Sequence, residues 1–176
     1  MKTASLIFFL LMGILIPQKQ ELSDKVVFLV RHGETCTEQG RNPELSALGK
    51  ERAQELSRVL MEVDLDLIYS TPFNRTEGTA APVAVSQDLE VTQTPVSSGF
   101  LANLAQEIKA SSATSILVSG HSNTTPALIN LLIGTELEDL TEFDFDRLYV
   151  VRMHADGTGS LVTLRYGATS GKPSAC

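Results

Sequence analysis

At 176 residues, with 43% hydrophobic and 20% charged residues, the chain has the balance of one globular domain with a sizeable core, which excludes a wholly disordered protein. A formal net charge of −7 excludes a general nucleic-acid binder, because phosphate backbones are held by Lys and Arg. Any anion this chain binds must meet a local positive pocket.

The first element is a targeting segment. Lys2 supplies a positive start, and residues 6–16 form an apolar run interrupted only by Gly13. That run is shorter than the roughly 20 residues that span a bilayer, and it suits a signal peptide. No small-x-small cleavage pattern stands out at Pro17, Gln18, Lys19 and Gln20. Residues 1–20 are therefore expected to be either a cleaved signal peptide or a short retained anchor, with residues 21–176 forming the domain. The expectation is a secreted or periplasmic protein that meets a membrane only through its first 20 residues.

Residues 26–30 are a continuous apolar, β-branched-rich run, the pattern of a strand buried on both faces. Arg31-His32-Gly33-Glu34-Thr35 follows directly. Next comes Cys36, which either pairs with Cys176 outside the cytoplasm or remains a thiol as Cys176 does; these are the two cysteines. Leu48, Leu56, Val59, Leu60 and Val63 recur at helical spacing behind Ser46, a candidate N-cap. A short strand over 67–69 leads into Ser70-Thr71-Pro72-Phe73-Asn74-Arg75-Thr76. Phe100, Leu101, Leu104 and Ile108 mark another helix. A strand over 116–118 leads into Ser119-Gly120-His121-Ser122-Asn123, and a helix apolar nearly all round follows, with Pro126 in its first turn and Gly134 just past its end. Residues 149–153 and 161–166 flank a hairpin loop at Ala155-Asp156-Gly157-Thr158-Gly159. The tail from Gly167 is small and polar and is expected to be unstructured. Strands alternating with helices predict an α/β three-layer sandwich: a mainly parallel central sheet, helices on both faces and a C-terminal hairpin at one edge.

In parallel sheets, ligands bind beyond the carboxyl ends of the strands. Three strand ends here offer Arg31, Arg75, His32 and His121 to one cleft. Those residue types suit phosphoryl chemistry. Arginine forks grip phosphoryl oxygens, helix N-termini add N–H donors, and a neutral imidazole can attack phosphorus. Zinc ligation by the two histidines lacks a convincing third ligand, and two arginines would repel the ion, so no metal and no cofactor is expected.

The combined pattern resembles the histidine phosphatase superfamily, also called phosphoglycerate mutase-like, over roughly residues 25–166. Its Arg-His-Gly marker is matched by Arg31, His32 and Gly33. Its Leu-Thr-x-x-Gly-x-x-Gln-Ala-like stretch is echoed by Leu45-Ser46-Ala47-Leu48-Gly49-Lys50-Glu51-Arg52-Ala53. Its Ser-x-Pro-x-x-Arg-x-x-x-Thr-Ala stretch is matched by Ser70 through Ala80, and its Gly-His by Gly120-His121. The resemblance implies that His32 is the nucleophile and that Arg31, Arg75 and His121 surround the phosphoryl group. It further implies that Gly33 lets the backbone approach closely and that Ser122 offers a further phosphate contact.

The chain departs from the family over the proton donor. One branch places an Asp after the second histidine, where this chain has Ser122. The mutase branch takes a Glu between the second Arg and the second His; Glu77, Asp88, Glu90 and Glu107 are available, none in a recognisable motif. Glu34 is a supporting residue in the family. The short spacing implies a cap-less form with an open cleft. The expected function is a phosphatase that hydrolyses a phosphorylated small molecule or phosphoprotein through a phosphohistidine on His32. The alternatives are a non-catalytic phosphate-binding module at the membrane and, less favoured for so short a chain, a phosphomutase.

Overall fold

A computed structural model of the chain describes residues 23–36 and 40–170. In chain order its elements are β1 (Lys25–Arg31), α1 (Ala47–Val59), β2 (Leu67–Ser70), α2 (Asn74–Gln87), β3 (Val91–Gln93), α3 (Phe100–Ala110), β4 (Ser115–Gly120), α4 (Thr124–Ile133), β5 (Arg147–Met153) and β6 (Gly159–Arg165). The leader over residues 1–20 and the pairing of Cys36 with Cys176 fall outside the described residues. No helix among those described is long and apolar enough to cross a membrane.

The six strands lie in the order β3-β2-β4-β1-β5-β6. The first four are mutually parallel, while β5 runs antiparallel to β1 and forms an antiparallel hairpin with β6. The expected three-layer architecture with an edge hairpin is thus present. Side chains alternate across a strand, and the alternation splits the core in two. Val27 and Leu29 of β1, with Ile116 and Val118 of β4, pack under Leu104 and Ile108 of α3 and Leu128, Ile129 and Leu132 of α4. Val30, Leu117 and Ile68 point the other way, onto Leu56 and Leu60 of the α1 segment and Ala80 and Val83 of α2.

Local signals explain the helix ends. Ser46 Oγ accepts from the Gly49 N–H at 3.2 Å, capping α1 as its spacing predicted. Gly134 ends α4 in the left-handed region at φ 71°. Two elements had no clear signal in the sequence. The α2 helix carries Pro82 inside it, and β3 is three residues long and half-exposed. The start of the tail also differs from expectation. Ser170 Oγ accepts from the Phe145 and Asp146 N–H groups, both at 2.8 Å, and the Ala168 carbonyl accepts from Arg52. Those bonds tie residues 167–170 to the sheet end and to α1.

Candidate active site

Strand register builds the site. Arg31 pairs with Gly120 between β1 and β4, and Ser70 pairs with Ser119 between β2 and β4. The next residue on each strand therefore leaves the sheet beside the others: His32, His121 and Thr71. His32 and His121 meet edge to face with ring centroids 5.4 Å apart. Arg75 arrives from the first turn of α2, its guanidinium 4.7 Å above the Phe73 ring. The shared cleft is lined by His32, Arg75 and His121, by Phe73, Val96 and Phe100, and by Ser122, Asn123 and Thr124 at the start of α4. Residues at the starts of α2, α3 and α4 thus border one opening, and helix N-termini carry partial positive charge.

His32 is 7% exposed and forms the floor. Its Nδ1 lies 2.8 Å from the Gly33 carbonyl oxygen. A carbonyl only accepts, so Nδ1 carries the proton and Nε2 keeps its lone pair. Burial depresses the His32 pKa to about 3, against the opposing effect of the Gly33 bond and with help from Arg31, His121 and Arg75. His121 is lowered to about 4 by burial and by the two arginines. Both rings are therefore neutral at physiological pH. The His121 Nε2 is 2.8 Å from Thr71 Oγ1, which is 3.0 Å from Thr76 Oγ1. Thr76 in turn donates to the Thr71 or Phe73 carbonyl. This hydroxyl relay orients His121 and leaves its Nδ1 for a ligand.

The other expected residues fall into place differently. Arg31 is buried beside the cleft, and its Nη1 donates to the Thr141 carbonyl at 2.7 Å and to that of Asp144 at 3.4 Å. Its guanidinium stacks 4.0 Å from the Phe145 ring, and its buried Nε has no partner. Arg31 is thus partly committed to the loop before β5, while its charge acts on both histidines. Gly33 was expected to let the backbone approach closely. Its N–H donates to Thr79 Oγ1 at 2.9 Å, and a Cβ there would lie 2.9 Å from the Gly49 carbonyl oxygen. A Cβ on Gly49 would in turn collide with the Glu34 backbone. The two glycines let α1 press against the histidine loop. Ser122 stands at the cleft, where its carbonyl accepts from Leu140 N–H.

Behind the cleft lies a feature that sequence reading left unassigned. Arg52 makes a two-pronged pair with Glu34, Nε to Oε2 at 2.9 Å and Nη2 to Oε1 at 2.7 Å, with both side chains fully buried. It also donates to the Tyr166 and Ala168 carbonyls, each at 2.9 Å. The signal in the sequence was Arg52 itself, a cation inside an otherwise apolar helix repeat. Thr71 lay within the quoted motif without a role. As for the proton donor, Glu77 accepts from Gln93 and Glu107 from Tyr69. Asp88 caps α2, and Glu90 follows it toward β3. None of the four lines the cleft.

A family model described as histidine phosphatase superfamily (branch 1) matches residues 27–96. Phosphoserine phosphatase 1 of Hydrogenobacter thermophilus is 41% identical over 71 residues, 37% of this chain and 34% of that protein. The chain thus matches about a third of the length of that curated relative. Two solved structures superpose with TM-scores of 0.65, each over 80% of this chain and 96% of their own: the alpha-ribazole phosphatase from Shigella flexneri and the protein histidine phosphatase SixA complexed with tungstate, both 19% identical. At that identity the likeness is one of fold.

Proposed function

We propose that the chain, which matches the histidine phosphatase superfamily (branch 1) over residues 27–96, is a phosphatase of that superfamily that passes the phosphoryl group through His32. The observation that carries the reading is the His32 Nδ1 bond to the Gly33 carbonyl, in a buried ring held neutral. The tautomer is then set for attack by Nε2. In the first step the Nε2–P bond forms and the bond from phosphorus to the leaving group breaks, with the electron pair departing on that group. In the second, water attacks phosphorus, the P–N pair returns to His32, and inorganic phosphate leaves. Arg75, His121 and the start of α4 border the space in which charge builds on the phosphoryl oxygens.

Among the described residues no carboxylate lines the cleft. Leaving groups that need little protonation, such as an aryloxide, an acyl or an imidazole, suit such a site. The substrate is a phosphorylated small molecule or phosphoprotein of that kind. The absent carboxylate also favours a second reading, a module that binds phosphate without turnover. Export is part of the proposal and rests on Lys2 and the apolar run over 6–16. Full-length protein found soluble in the cytoplasm on fractionation would remove it.

The test is a steady-state assay on an aryl phosphate, with rapid quenching to trap an acid-labile, base-stable phosphoenzyme. Label should map to the peptide that holds His32, and His32→Ala should abolish turnover while inorganic phosphate still binds. Label elsewhere, or full turnover in His32→Ala, overturns the mechanism. Phosphate binding with no turnover in the parent selects the binding module.

A further inference from the structure

In an in-line displacement the leaving group departs opposite the attacking nitrogen. His32 forms the buried floor of the cleft, so departure is toward the open side. What stands there is apolar on one flank: half-buried Phe73 at the start of α2, half-buried Phe100 at the start of α3, and Val96, which is 52% exposed. Phe73 already stacks edge-on against His121, with centroids 5.3 Å apart, so the wall is continuous with the phosphoryl cradle. None of the three side chains donates or accepts a hydrogen bond. Ser122, Asn123 and Thr124, which also line the cleft, supply neutral polar groups only. The cleft, about 470 Å³, has room for a phosphoryl group and a ring beyond it.

Resting on the phosphatase reading above, we infer that Phe73, Val96 and Phe100 form a leaving-group subsite that selects a planar aromatic group over a small acyl or alkyl one. Ring-on-ring contact and the apolar area it covers provide the discrimination. A hydroxylated leaving group would lose its hydration against Val96 and Phe100 without gaining a partner from them.

The test separates binding from turnover. Calorimetry on the full chain compares phenylphosphonate with methylphosphonate, which share a phosphoryl-like head and cannot be hydrolysed. Phenylphosphonate should bind at least fivefold tighter. Phe100→Ala and, as a surface change that leaves packing intact, Val96→Ser should each shrink that ratio by about threefold or more. In parallel, kcat/KM for dinitrophenyl phosphate should exceed that for acetyl phosphate, whose leaving group is of comparable acidity, and the same variants should erode the excess. Equal affinities in the parent, or a ratio untouched by both variants, overturns the subsite. A retained phenyl preference with no turnover of either the aryl ester or the acyl phosphate leaves the subsite standing and defeats the catalytic reading instead.

Discussion

His32 and Glu34 are two residues apart in the chain and sit in opposite electrostatic settings. Glu34 is fully buried and its charge is answered by Arg52 through two hydrogen bonds, with further Arg52 donors closing on the Tyr166 and Ala168 carbonyls. On the other side of the same short loop, the cleft gathers Arg75 and two histidines with no carboxylate facing them among the described residues. The charge of Arg31 reaches both histidines, and Arg31 itself is held mainly by carbonyls. One guanidinium is closed off by its partners, while Arg75 makes no ion pair among the described residues and is disfavoured by burial. The difference separates a scaffold from a site. Uncompensated positive charge in a half-buried cleft costs stability and is relieved by an anion, whereas the paired charge behind it holds the loop that aims His32.

That contrast is most severely broken at Arg52. Arg52→Ala leaves Glu34 buried and unpaired, and the expected loss in unfolding free energy is about 3–5 kcal/mol. Urea denaturation measures it. The double variant Glu34→Leu, Arg52→Met removes both charges and should lose less than the single one. A single-variant cost near zero would show that the pair is incidental.

Arg75 should behave in the reverse way. Arg75→Ala is expected to lower kcat/KM on an aryl phosphate by about a hundredfold, in line with loss of one oxyanion donor, and to weaken inhibition by inorganic phosphate. Its unfolding midpoint should hold or rise, because a burdened cation has been removed. Arg75→Lys should restore only part of the rate, since an ammonium cannot grip two oxygens. A large fall in stability with unchanged kinetics would assign Arg75 to the scaffold.

The smallest effect sharpens the comparison through pH. The folded pKa of His32 lies near 3, below its unfolded value. Between the two values the unfolded chain binds the extra proton, so stability is full above about pH 6.5 and falls as pH drops toward 3. Lowering the pH from 7 to 5 should cost about 2 kcal/mol through this residue alone. His32→Asn should flatten the slope by that amount in denaturation curves, and an identical slope would mean that His32 is not held neutral. His121, lowered to about 4, adds a slope of the same sign in this window and keeps it in His32→Asn, so the difference between the two curves is the share of His32. Carboxylates such as Asp66 and Asp144, whose folded pKa values are also lowered, lose their contribution below the usual carboxylate range.

Much of this was legible in the chain itself, for a physical reason. Strand and helix periods, the Ser46 cap and the Gly134 stop depend on near neighbours, so they can be read without a fold. The placement of Arg31-His32-Gly33 and Gly120-His121 directly after buried strands needed only one further step, that parallel strands end together. The tertiary structure alone decided what each group touches. The Thr71–His121 bond joins residues 50 apart, the hold of Arg31 on Thr141 spans 110, and that of Arg52 on Tyr166 spans 114. The same holds for the contact of Gly33 with Gly49 and for the anchoring of residues 167–170. Such contacts leave no periodic trace, because they are fixed by the register of β1, β2 and β4 and by how closely α1 approaches the sheet. The side chains were named by the sequence; which of two arginines is neutralised, and which nitrogen of His32 is free, followed only from packing.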